Sequence, residues 1–280
     1  GTPASPLRSS RHDTATLRHA HDRRHPVRLY PEWMVEMAQA TGGTAVLRRY
    51  PVTIVVTAAV TLGFALQWFL PLADVLQRDP QAIGEGQWWR VLTSVFVQGS
   101  GWGQYIFNTL GMVVVGAAVE RTRGSMQWLA AALVAQLGAS IAAVVWAPAV
   151  HDSGSSLVVG GLVGMLTVTR FVHPTPWAAT AAGYRVFFLS YLAALALGGP
   201  VVGAVTGSVL TGIAVAAVIR SRFATWALTG VLAVVVAASV VLVVAHDQHG
   251  VAALLGLVVA LVVRLIPRGA GRTRSRPGSA

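Results

Sequence analysis

Ser153-Gly154-Ser155-Ser156-Leu157-Val158-Val159-Gly160-Gly161-Leu162-Val163-Gly164 places small hydroxyl residues just where a very apolar segment begins. On a helix, Ser156, Gly160 and Gly164 fall on one face, a hydroxyl above two bare patches of backbone. Glycines at that spacing let a second membrane helix approach closely. A matching face lies near the C-terminus, in His249, Ala253, Gly256 and Ala260. A serine and a histidine, each at the top of a small-residue face, would meet inside a membrane if those two helices pack.

Composition fixes the solvent. The chain has 280 residues, 54% of them hydrophobic and only 11% charged, with the apolar residues in long runs. Such runs must satisfy their own backbone hydrogen bonds, so the fold class expected is all-α, a polytopic membrane helical bundle. The net charge of +11 comes from 21 arginines and no lysine. In a soluble chain that balance would suggest nucleic acid, but topology accounts for it here, and no nucleic-acid partner is expected. With no cysteine, disulfides, thiolate metal sites and a cysteine nucleophile are excluded together. No cofactor and no metal are expected.

Residues 1–50 read as a basic cytoplasmic N-terminal tail, partly disordered, with one short amphipathic stretch at Leu29–Ala40. They carry no cleavable leader pattern, so the first hydrophobic helix is expected to act as its own insertion signal. Residues 51–266 form the transmembrane domain, and 267–280 a second basic cytoplasmic tail. Eight spans are expected: Val52–Leu72, Gln104–Val119, Met126–Ala147, Ser156–Val172, Val186–Leu197, Val201–Ile219, Phe223–Ala245 and His249–Ile266. Val91–Trp102 reads as partly re-entrant, and Trp88-Trp89-Arg90 as an interfacial anchor.

With the N-terminus inside and the spans alternating, every arginine but Arg78 and Arg90 falls on the inner side, as the positive-inside rule requires. The same assignment puts Ser156 and His249 at outward-facing helix starts. Between their helices the chain must cross an odd number of times, which demands a break at Gly198-Gly199-Pro200, or that one leg does not cross. A multi-pass protein of the cell membrane, with both termini cytoplasmic, is the resulting expectation.

Ser156 with His249 would supply a nucleophile and a general base without a third acid. Gln104 and Asn108, four apart on one face, would supply amide donors to an oxyanion, beside the Ser156 backbone N–H. Each residue also has a plainer reading, as helix cap, solvated loop histidine or interhelical hydrogen-bonding glue.

Together these pieces resemble the rhomboid family of intramembrane serine proteases. Gly86-Gln87-Trp88-Trp89-Arg90 with Thr93 resembles the family's first-loop Trp-Arg motif. Gln98, Gln104 and Phe107-Asn108-Thr109-Leu110 match the region of its histidines and asparagine. Gly116–Gly124 matches its G-x-x-x-E-x-x-x-G signature. Gly154-Ser155-Ser156 with Gly161…Gly164 matches the nucleophile segment, and His249 with Gly256 the histidine helix. Alignment on the downstream glycines selects Ser156 over Ser153 and Ser155, and His249 over His246.

The resemblance implies a rhomboid-like six-helix core, from which the 93-residue step from Ser156 to His249 departs by adding an extra helical hairpin between the serine and histidine helices. It also implies a Ser156–His249 dyad supported by Gln104 and Asn108, cutting transmembrane segments of membrane proteins in the bilayer. Leu157 and Ala252 stand where the family has glycines, and Gln98 and Gln104 where it has histidines. These departures motivate the alternative, a catalytically inactive rhomboid-like pseudoprotease that binds transmembrane clients. An unrelated transporter or scaffold is the third reading, kept open by the Gly198–Pro200 break.

Overall fold

The computed structural model describes residue 1 and residues 48–169, 176–220 and 224–265. The basic tails, the Leu29–Ala40 stretch and the last residues of the Ser156–Val172 span therefore lie outside the described residues, apart from residue 1 and residues 48–50. Among the described residues seven apolar helices form the bundle, and no strand occurs. They are α1 (Pro51–Leu66), α2 (Gly101–Arg123), α3 (Ser125–Trp146), α4 (Ser156–Thr167), α5 (Pro176–Ile219), α6 (Ala224–Val244) and α7 (Gln248–Leu265). Of these, α2, α3, α5 and α7 are long and apolar enough to cross a membrane by themselves. The protein is an all-α polytopic bundle, as composition demanded.

The break between the serine and histidine helices lies where Gly198-Gly199-Pro200 put it. Gly199 adopts φ +81° and ψ −176°, which glycine tolerates, and Pro200 starts the following leg, where its missing N–H is harmless. The two legs of α5 fold back on one another. Gly183 lies against Thr211 and Val215, Gly207 against Phe187 and Tyr191, and Gly203 against Leu195, an antiparallel order. The Thr211 hydroxyl donates to the Gly183 carbonyl at 3.4 Å. The first leg starts at Pro176, ten residues before the expected Val186, so it is about 34 Å long and no longer a marginal crossing. That earlier start draws Arg185 into the bundle, wholly buried, where it donates to the carbonyls of Ala181 and Leu166.

Other boundaries also move. α1 stops at Leu66 instead of Leu72, and the chain turns into a short helix at Leu72–Leu76. Val91–Trp102, expected to be partly re-entrant, holds short turns at Arg90–Thr93 and Ser94–Phe96, then the start of α2. Arg90 fixes this loop, donating from Nε to Gln87 Oε1 at 2.7 Å, from Nη1 to the Gln77 carbonyl at 3.2 Å, and from Nη2 to the Asp74 carbonyl at 2.7 Å. Its neighbours Trp88 and Trp89 stay exposed, as an interfacial anchor would.

The Gly116–Gly124 segment joins three helices. Glu120 reaches the start of α1 and accepts the Val52 N–H at 3.0 Å, the Thr53 N–H at 2.9 Å and the Ser125 hydroxyl at 2.7 Å. A carboxylate there satisfies orphan donors and complements the helix dipole. Gly116 leaves room for Trp128 and Thr53, and Gly124 turns the chain at φ +87°.

At the centre sits α4, only 12 residues long and almost wholly buried, between α3 and α7. Its glycines do what their spacing predicted. Gly160 faces Ala252 and Ala253, Gly164 faces Ala253 and Leu257, and Gly161 faces both Ala135 of α3 and Gly256 of α7. These contacts advance together along both chains, so α4 and α7 run parallel and begin at the same end.

Candidate active site

Three short segments converge at that end. The loop before α4 is anchored by a two-bond bridge between Arg78 and Asp152, Arg78 N–H to Asp152 O at 2.9 Å and Asp152 N–H to Arg78 O at 3.1 Å. The Arg78 guanidinium also pairs with the Asp152 carboxylate at 2.9 Å. Gly154 follows at φ +138°, its N–H on the Ser94 carbonyl at 2.9 Å. A side chain at 154 would run into the Gln104 amide, so glycine is required both by torsion and by space.

The turn delivers Ser156 as the first residue of α4. Its Oγ lies 2.9 Å from Nε2 of His249, the second residue of α7. The neighbouring serines face elsewhere. Ser155 is fully buried with its Oγ at 3.4 Å from Gln98 Nε2, and the Ser153 carbonyl accepts from Gln104 Nε2 at 2.8 Å. His246 is turned away, its ring 5.3 Å from that of Trp146. Ser156 and His249 are thus the pair that meets.

Gln104 and Asn108 occupy the back of the same loop. Gln104 holds the Ser153 carbonyl and accepts the Ser100 N–H at 3.0 Å, while Asn108 donates to Gln98 Oε1 at 3.1 Å. Gln98 is itself tied to Gln67 through its backbone, by bonds of 2.9 and 3.2 Å. Both residues therefore brace the polypeptide that carries Ser156, through Ser153 and Gln98, and neither makes a hydrogen bond to Ser156 itself. The first bond of the helical ladder is Val159 N–H to Ser155 O, at 3.1 Å. The N–H groups of Ser156, Leu157 and Val158 consequently stand ahead of the ladder at the positive end of the helix. Leu157, the bulky departure after the serine, points away from this end into a pocket of Ala135, Ala139 and Ala252. Ala252 in place of glycine helps to close that pocket.

One functional candidate escaped the sequence reading. Asp247 Oδ1 lies 2.6 Å from His249 Nδ1, so the imidazole has a carboxylate on the side opposite Ser156. Burial pushes the Asp247 carboxyl up, but the hydrogen bond from the His249 side chain, the charge of that imidazole and the His249 backbone N–H together outweigh it and hold the group below the usual carboxylate range. An acid two residues before a histidine was the available signal. Next to it, Gln248 Nε2 donates to Asp152, linking the histidine turn to the serine loop.

A hydroxyl, an imidazole and a carboxylate stand in line at one end of a bundle of apolar helices, an arrangement that serine hydrolases use. The Rhomboid domain model matches residues 85–222, a stretch that holds Ser156 and stops before His249. Over 91 residues the chain is 36% identical to Rhomboid protease GluP of Bacillus subtilis (strain 168), which covers 32% of this chain and 18% of that protein. The aligned region is thus less than a fifth of that relative's length. No solved structure matches. The chain thus carries a Rhomboid domain over residues 85–222, within a multi-pass membrane protein.

Proposed function

We propose that the protein is an intramembrane serine protease that cuts transmembrane segments of other membrane proteins, with Ser156 as nucleophile and His249 as general base. The observation that carries this reading is the 2.9 Å approach of Ser156 Oγ to His249 Nε2. That is the contact a proton transfer between them needs.

As Oγ attacks the scissile carbonyl carbon, its proton passes to Nε2 and the carbonyl oxygen takes the negative charge. The N–H groups at the start of α4 are placed to stabilise that oxyanion. Gln104 and Asn108 support it by holding the preceding loop in place. The tetrahedral species then expels the amine, which takes the proton from Nε2, and leaves an ester on Ser156. Water, deprotonated at Nε2, attacks the ester, and the released Oγ recovers its proton. Water reaches the pair because the Ser156 side is only half-buried, with the His249 side chain 17% exposed.

The basic segments favour a cytoplasmic placement of both ends of the chain, residues 1–50 and 267–280, around a membrane domain at 51–266. That orientation opens the site to the outer face of the cell membrane.

A second reading, a pseudoprotease that holds transmembrane clients, is favoured by the engagement of Gln104 and Asn108 away from the hydroxyl. Cleavage of a model single-span substrate in proteoliposomes, together with labelling by a fluorophosphonate probe, separates the two. The protease reading expects labelling at Ser156 and loss of both signals in Ser156→Ala. Unchanged cleavage by that variant refutes the assignment, and a wild-type protein that neither cuts nor labels favours the client-binding reading.

A further inference from the structure

The α6–α7 connection is built to hold one carboxylate still. Helix α6 ends with His246 N–H on the Val243 carbonyl at 3.0 Å and Asp247 N–H on the Leu242 carbonyl at 2.8 Å, the paired bonds of a Schellman ending. The residue in the left-handed position of that ending is His246, at φ +56°, where glycine is the usual occupant. Its ring packs on Trp146 and fixes the turn from the side. Helix α7 begins at once, with the Gly250 N–H on the Asp247 carbonyl at 3.2 Å. Gly250 itself lies so close to Ser239 and Leu242 of α6 that a side chain there would collide with them. Both backbone groups of Asp247 are therefore engaged, one by each helix.

The carboxylate they present makes two contacts through one oxygen. Asp247 Oδ1 accepts the His249 backbone N–H at 2.8 Å and faces His249 Nδ1 at 2.6 Å. The first contact is an ordinary N-cap. The second has a consequence for the chemistry. An ionised carboxylate only accepts, so Nδ1 must carry the hydrogen, and Nε2 is left with its lone pair toward Ser156 Oγ. The edge of Phe188, 6.1 Å from the imidazole by ring centroids, flanks the ring in this orientation.

We propose that Asp247 is a positioning residue for His249. It sets the tautomer that can take the Ser156 proton, and it remains ionised to balance the imidazolium formed during the reaction. The site is then an Asp247–His249–Ser156 relay in place of a dyad. The proposal rests on the reading of Ser156 and His249 as nucleophile and base. No proton moves to the carboxylate at any step.

Asp247→Asn separates this role from capping, because asparagine caps as well as aspartate but carries no charge. Cleavage kinetics in proteoliposomes are expected to show kcat lower by about a hundredfold or more and KM within about twofold, with a cooperative thermal melt retained. Asp247→Glu, which restores the charge on a longer arm, is expected to recover part of kcat. A kcat within about threefold of wild type in Asp247→Asn would make the carboxylate a cap alone and overturn the proposal, while the Ser156→Ala result would still stand for the protease.

A second readout needs no substrate. In ¹⁵N-histidine-labelled protein, with His249 assigned by its absence in His249→Ala, the wild-type ring is expected as the Nδ1–H tautomer. Asp247→Ala is expected to shift it toward Nε2–H. A wild-type ring already in the Nε2–H form refutes the proposal whether or not the protein cuts anything.

Discussion

Replacing Gly164 with alanine tests the geometry on which the site depends, at a distance from the site. A Cβ at 164 would lie 2.8 Å from the Ala253 carbonyl carbon and 2.9 Å from the Leu257 nitrogen, and closer still to the Ala253 oxygen. Comfortable carbon contacts begin at about 3.5 Å, so α4 and α7 must part by about 1 Å. Neighbouring backbone cannot swing aside as a flexible side-chain tip would. Ser156 lies eight residues up the same face, about 12 Å away. If both helices move as rods, the Oγ–Nε2 separation grows from 2.9 Å to about 4 Å, outside hydrogen-bond reach. A misplacement of about 1 Å costs on the order of a hundredfold in rate, and the overpacking itself about 1–3 kcal/mol.

A graded series makes the comparison internal. Gly160→Ala, whose Cβ would meet the Ala252 methyl at 3.1 Å, should lose less. Gly212→Ala, with nothing within 4 Å, should leave rate and melting unchanged or slightly improved. Initial cleavage rates in proteoliposomes and fluorophosphonate labelling rates are measured alongside detergent thermal melts. If Gly164→Ala matches Gly212→Ala in all three, α4 and α7 do not fix the hydroxyl against the imidazole, and the reasoning fails.

Two further outcomes are expected. Glu120→Gln removes the charge that caps α1, and should lower stability by about 1 kcal/mol in a melt while leaving the Oγ–Nε2 contact and the labelling of Ser156 intact. Because the folded protein holds Asp247 below its ordinary pKa, its contribution to stability is present above the ordinary carboxylate range and lost as pH falls through the depressed folded value. Thermal melts from pH 7 to pH 3 should therefore fall less steeply in Asp247→Asn than in wild type; parallel curves would show that Asp247 is not coupled to folding.

What the residues announced and what they hid divide along physical lines. Gly160, Gly161 and Gly164, with Ala253 and Gly256, declared their partners, because close packing of membrane helices needs small residues at helical spacing. Gly199-Pro200 declared a break, because few sequences adopt that torsion and then restart a helix. Parity did the rest, and Ser156 met His249. The start of α5 at Pro176 was hidden because Trp177–Arg185 is weakly apolar and carries an arginine, whose burial depends on carbonyls contributed by Ala181 and by Leu166 of another helix. The role of Asp247 was hidden for a different reason. It depends on His246 taking a left-handed torsion, and nothing in the residue type histidine announces that choice. Gln104 and Asn108 were recognised as polar groups near the serine, but a side-chain amide can turn either way, and only the fold decides which carbonyl it holds.

The brevity of α4 sets a depth. At 12 residues it is about 18 Å long, against a hydrocarbon layer of about 30 Å. Its far end is tied to the basic end of the bundle, where Arg185 donates to the Leu166 carbonyl, Arg264 to the Val168 carbonyl and Arg123 to the Thr169 hydroxyl at 3.0 Å. If that end lies at the inner edge of the hydrocarbon layer, the Ser156 hydroxyl stands about 12 Å, or two-fifths of the layer, below the opposite surface. The hydroxyl therefore measures depth from the arginine side of the membrane, not from the side on which it opens. Longer acyl chains would sink it further from its own aqueous surface and shorter ones would raise it toward the headgroups, so on the protease reading bilayer thickness becomes a control on which bond of a passing helix lies level with the serine.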